Sequence, residues 1–217
     1  MVTEQEEQVE QMVFPSERIK YQCVFAKGKI VNLGCGENPC GFYGDDVVHV
    51  DLDVYNHKNF VCADIHNLPF GDDEFDTAIL GDVLEHSPTP TLMLKEAGRV
   101  AKKVVATVFE EWRLDGGVEE QKYKFMGDVK ALGFETHYDY LKSLPLYKDT
   151  IVSVTDDSEV VTHHPHVQMF TDESLLKHIQ DAGLEVIIWH KFLEGEHEGR
   201  PFYNWLLVLR KKCPNTE

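Results

Sequence analysis

The 217 residues include 21 basic and 38 acidic side chains, a formal charge of −17 that repels nucleic-acid backbones and anionic lipid surfaces. No apolar run approaches the ~20 residues that cross a bilayer. The hydrophobic fraction of 42% and charged fraction of 27% are ordinary for a globular chain, and the length suits one α/β domain with a real core.

The opening MVTEQEEQVEQ is acidic where a secretory signal is basic and then apolar. Five cysteines, at 23, 35, 40, 62 and 213, are odd in number and share no spacing, which predicts reduced thiols and a cytoplasmic protein. Residues 1–28 read as a polar leader, a break at Pro15 and a short helix that packs on a sheet, a frayed terminus being the alternative.

An alternation of strands and helices follows. Strands are predicted at Lys29–Leu33, Val47–Val50, Asn59–Cys62, Phe75–Gly81, Val104–Val108, Glu185–Phe192 and Trp205–Arg210. The unbroken runs Ala78-Ile79-Leu80 and Val104-Val105-Ala106 suit strands covered on both faces. Helices are predicted at Thr91–Ala101 and at Asp172–Ala182, the latter with Thr171 as cap, Asp172 and Glu173 in its first turn and Gly183 at its end. About sixty residues separate the fifth strand from this last helix, more than a plain connection needs. They include an amphipathic stretch at Glu119–Leu132 and an aromatic one at Phe134–Tyr147. Residues 110–165 are therefore read as an insertion that caps a substrate site, with a purely structural elaboration as the alternative.

The chemistry begins at VNLGCGENP, where a strand runs into Gly34 and Gly36. Glycines at that edge let backbone approach a nucleotide closely. Asp51 follows at the end of the second strand, placed to accept both hydroxyls of a ribose. At the end of the third strand Asp64 can accept from an adenine amino group while Ile65 packs on the ring. The fourth strand ends at Gly81, with Asp82 next and His86 four residues later.

These four segments, in this order and spacing, resemble a class I S-adenosylmethionine-dependent methyltransferase of the small-molecule group. The resemblance is strongest over Lys29–Val108, and HVQMFT at 166–171 is similar to the stretch before that group's last large helix. It implies a Rossmann-like α/β fold: a seven-stranded sheet of order 3-2-1-4-5-7-6, the last strand antiparallel, with helices on both faces. It also implies a cofactor site made by Leu33, Gly34, Cys35, Gly36, Asp51, Leu52, Asp64, Ile65, Gly81 and Asp82. Asn32 stands where the family usually has an acidic residue, and Glu37-Asn38-Pro39 replaces the third small residue of the loop. The short run from Cys40 to His49 predicts a truncated or absent first helix. A nicotinamide enzyme needs a third glycine and a helix N-terminus facing its pyrophosphate; Pro39 and the missing length argue against it.

For methyl transfer to oxygen or nitrogen of a small-molecule acceptor, His86 and His166 are the candidate bases. His163, His164 and His166 lack a carboxylate or thiolate at completing spacing, so no metal is expected. A non-catalytic S-adenosylmethionine-binding partner subunit and a nucleotide-dependent oxidoreductase remain as alternatives. The oligomeric state is not read from the sequence.

Overall fold

The computed structural model describes residues 16–37, 42, 44–110, 152–154, 160–162, 170–197 and 200–212. Seven strands form one sheet: β1 (Ile30–Leu33), β2 (Val47–Asp51), β3 (Phe60–Cys62), β4 (Phe75–Gly81), β5 (Ala101–Phe109), β8 (Leu184–His197) and β9 (Arg200–Lys211). Their order is β3-β2-β1-β4-β5-β9-β8. The strands from β3 to β5 are parallel and β9 runs antiparallel between β5 and β8, the arrangement the sequence led us to expect.

Helices cover both faces. On one lies α1 (Glu17–Phe25), started by Ser16, whose hydroxyl accepts from the Ile19 N–H. Its Gln22 Nε2 donates at 2.9 Å to the buried Thr107 Oγ1 of β5, and its Tyr21 packs on Phe192 of β8. On the other face lie α2 (Pro90–Val100) and α3 (Asp172–Asp181). Proline opens α2, where its missing N–H costs nothing, and Met93, Leu94, Ala97 and Val100 form the buried stripe. Gly98 lets α2 lie close to β8, since a methyl group there would sit 2.7 Å from Leu184 Cδ2. A capping box starts α3: Thr171 Oγ1 accepts from Ser174 N, and Ser174 Oγ accepts from Thr171 N. Leu175 and Ile179 of α3 join Val104, Ala106, Leu207 and Leu209 of the central strands in one core.

Several boundaries differ from expectation. Helix α2 ends at Val100 and Ala101 turns directly into β5, so the strand begins earlier than Val104. Strands β8 and β9 extend to His197 and Arg200, pairing as one long hairpin with register shifts at Val186/Ile188 and Leu193/Gly195. The added length, Leu193-Glu194-Gly195-Glu196-His197, is polar and glycine-bearing, so no apolar alternation marks it; ladder pairing holds it instead. Between β1 and β2 no helix occurs among the described residues.

Of the insertion, two short strands are described, β6 (Val152–Val154) and β7 (Val160–Thr162), paired antiparallel. The stretches Glu119–Leu132 and Phe134–Tyr147, the histidines 163, 164 and 166, and Pro39 lie outside the described residues. Among the described residues no helix is long and apolar enough to cross a membrane.

Candidate functional site

A solvent-open cleft of about 780 Å³ lies where β1 to β4 end at their C-terminal edge. The strand order reverses between β1 and β4, and such a switch point is where open parallel sheets bind ligands. Each strand contributes the residues just past its end: Gly34 and Gly36, Asp51 to Asp53, Asp64 to His66, and Asp82, Val83, His86 and Ser87.

The glycine turn is shaped by φ of +71° at Gly34 and +59° at Gly36, a region side chains rarely enter. A Cβ at Gly34 would come within 2.5 Å of Val83 Cγ2, while one at Gly36 would meet nothing within 4 Å of protein. The turn is held from both sides. Gly36 N donates to Asp51 Oδ2 at 2.9 Å, and His57 Nε2 donates to the Gly36 carbonyl at 2.7 Å. Asp51 Oδ1 accepts from Asp53 N at 3.1 Å. Burial raises the Asp51 carboxyl's pKa, against which the N–H groups of Gly36, Asp53 and Leu52 pull it down. Asp53 is pushed up to about 7 by burial and then by the Asp51 charge, with a hydrogen bond from Tyr55 opposing.

On the far wall, Asp64 Oδ1 accepts from both the backbone N–H of His66, at 2.8 Å, and its Nδ1, at 2.7 Å. That imidazole bond, more than any other influence, holds the Asp64 carboxyl below its ordinary range. At the end of β4, Asp82 adopts φ +53° and accepts from Asn204 Nδ2 at 3.0 and 3.2 Å, with Arg18 Nε 3.3 Å away. Beneath it, Glu85 is buried and accepts from Phe109 N at 3.1 Å. Burial, and then the Asp82 charge, raise its pKa well above the carboxylate range and favour a neutral carboxyl.

The expected site residues divide accordingly. Gly34, Gly36, Asp51, Leu52, Asp64, Ile65, Asp82 and His86 line the cleft. Leu33 and Cys35 are buried and not among the lining residues; burial, then the Asp51 charge, push the Cys35 thiol's pKa up. Gly81 is also not among them: a Cβ there would meet Gln22 Nε2 at 2.7 Å and Arg18 at 3.4 Å, on the α1 face. His166 lies outside the described residues. Asn32 is buried in β1 and does not line the cleft. Sequence reasoning missed Asp53, Tyr55, His66, Val83, Ser87 and Met93. The only signal for them was proximity, Asp53 and His66 each standing two residues beyond a recognised aspartate.

Residues 31–109 match the family model described as a methyltransferase domain. Over 90 residues the chain is 33% identical to uncharacterized protein MJ1123 of Methanocaldococcus jannaschii, covering 39% of this chain and 44% of that relative, less than half its length. Among solved structures, a putative methyltransferase from Bacillus halodurans superposes with TM-score 0.53 at 16% identity, covering 91% of this chain and 99% of that one. The 1,6-didemethyltoxoflavin-N1-methyltransferase of Burkholderia thailandensis, solved with S-adenosylhomocysteine, gives TM-score 0.50 at 13% identity, covering 89% and 75%. At such identities these structures speak to the fold. The sheet order and the position of the cleft agree with the fold of these structures, and the methyltransferase-domain match covers residues 31–109.

Proposed function

We propose that the protein transfers a methyl group from S-adenosylmethionine to the oxygen or nitrogen of a small-molecule acceptor. We further propose that residues 1–217 form one domain, with a leader to residue 28 and residues 110–165 capping the acceptor. The observation that carries this reading is the chemistry of the cleft wall. Asp51, Asp53, Asp64 and Asp82 line it, and no lysine or arginine does among the described residues. A wall of acceptors suits a cation that brings hydroxyl and amino donors and carries no phosphate. It opposes a dinucleotide, whose pyrophosphate needs donors or a helix N-terminus.

The residues present fit this cofactor. At Gly36 a ligand can approach backbone where a Cβ would otherwise project, and no protein atom fills that space within 4 Å. Asp51 is ordered by two backbone N–H groups, so its remaining lone pairs are pre-aimed for ribose hydroxyls. When bound, S-adenosylmethionine supplies a methyl group already activated on a sulfonium, so the protein's task is alignment and exclusion of water, worth roughly 7–11 kcal/mol. His86, half-buried on a short 3-10 turn at Leu84–His86, lines the cleft and is the first candidate base for the acceptor's proton. His166 is the second candidate base. The acidic surface suits a cytoplasmic protein acting on neutral or cationic small molecules rather than polyanions.

Calorimetry with S-adenosylmethionine, S-adenosylhomocysteine and NAD tests the site, and release of S-adenosylhomocysteine across an acceptor panel tests the reaction. Binding of the two sulfur ligands with turnover is expected. Binding of NAD alone would overturn the reading, and a filled site that never turns over would replace it with a non-catalytic binding subunit.

A further inference from the structure

Three side chains form a hydrogen-bonded chain along the cleft: Asp64, His66 and Ser87. His66 Nδ1 lies 2.7 Å from Asp64 Oδ1, its Nε2 lies 2.7 Å from Ser87 Oγ, and Ser87 Oγ in turn accepts from Thr89 N at 3.0 Å. The proton on Nδ1 is assigned by its partner. Asp64, with its carboxyl held low, only accepts, so Nδ1 carries a hydrogen. Ser87 Oγ, which already accepts from Thr89 N, closes the chain on Nε2, since its hydroxyl can either donate to that nitrogen or accept from it. All three residues line the cleft, and the chain ties the loop after β3 to the loop after β4, beside His86.

The bridge uses up one oxygen of Asp64. Oδ1 takes both bonds from His66, whereas Oδ2 takes none among the described residues. A carboxylate free to rotate offers its oxygens interchangeably; one pinned through Oδ1 presents a single acceptor in a fixed direction. Ile65, buried beside it, supplies the apolar surface on which a ring can rest.

We infer that His66, braced by Ser87, is a positioning residue that makes Asp64 select a purine bearing a 6-amino group over one bearing a 6-oxo group. This rests on the reading of the cleft as an S-adenosylmethionine site. An amino hydrogen pairs with the presented Oδ2, while a keto oxygen in its place faces it as a second acceptor, so the 6-oxo base must shift from that position to offer its N1–H instead.

The test is calorimetric titration of the full chain with S-adenosylhomocysteine and with S-inosylhomocysteine, in which oxygen replaces the adenine amino group. Wild type is expected to prefer the adenine compound by about tenfold or more. His66→Leu is expected to bring the ratio below about threefold, through weaker binding of the adenine compound. His66→Asn, whose amide N–H can stand in for Nδ1–H, should keep most of the preference. A Leu variant that keeps the wild-type ratio, or that weakens both ligands equally, overturns the inference. If that variant does not fold, Ser87→Ala must lower the ratio, and an unchanged ratio overturns the inference equally. Equal binding of both compounds by wild type removes the inference and leaves the proposed function standing. Binding of neither removes the reading of the cleft and the inference with it.

Discussion

Arg18 Nε lies 3.3 Å from Asp82 Oδ2, joining α1 to the residue just past the end of β4. Asp82 is in a left-handed conformation, and the pair sits beside buried Glu85 and Asn204. The arginine therefore does two things at once: it docks α1 across the sheet and neutralises a carboxylate that would otherwise face a second acidic group. Arg18→Ala is expected to destabilise the fold by roughly 1–3 kcal/mol, because it leaves a partly buried carboxylate without its cation. Urea denaturation measures this, and combination with Asp82→Asn should cost less than the sum of the two single changes.

Asp51 is held by Gly36 and Asp53, so removing its carboxyl affects both the glycine turn and any ribose placed there. Asp51→Ala should weaken S-adenosylhomocysteine binding by more than ~1 kcal/mol, since ribose hydroxyls lose their acceptor. Unchanged affinity in calorimetry would remove Asp51 from the ribose site.

Asp53 supplies a pH signature. Its folded-state pKa of about 7 lies above the ordinary 3.8, so the folded chain holds a proton that the unfolded chain releases between those values. Stability contributed by this group is complete below about pH 4 and is lost as pH rises toward 7, by at most about 4 kcal/mol. Asp53→Asn mimics the protonated form. Its melting temperature should exceed that of wild type at pH 8, and the gap should close as the pH falls toward 4.

His86 shares the cleft with the aspartates and adds no carboxylate acceptor for ribose or adenine. If it takes the acceptor's proton, His86→Ala slows turnover by ~10²-fold or more while S-adenosylhomocysteine affinity stays unchanged. A loss confined to affinity would instead place His86 against the cofactor.

What could be read in the chain depended on how local its physical cause was. The strands from β1 to β4 are short apolar runs closed by glycine or aspartate, and α3 announces itself through Thr171 at one end and Gly183 at the other. Each of these signals lies within a few residues of what it specifies. The order of the strands came from resemblance to a family, because strand adjacency is a relation between distant segments that no local period records. The hairpin beyond Phe192 was invisible for a similar reason: its stability comes from cross-strand pairing of residues such as Leu193 with Tyr203, not from an apolar pattern within either strand.

The site divides along the same line. The aspartates at 51, 64 and 82 were legible because each stands at a recognisable strand end, whereas the crowding of Gly81 by Gln22 and Arg18 of α1 could not be read from the sequence. His66 meeting Ser87 across 21 residues and Arg18 meeting Asp82 required the tertiary structure. By itself the sequence determined that four strand ends would carry glycines and acidic groups to one edge of a sheet, since periodicity and glycine geometry act locally. Only the tertiary structure decided which oxygen of each carboxylate is already taken, because a hydrogen bond forms between side chains that folding, not chain position, brings within 3 Å.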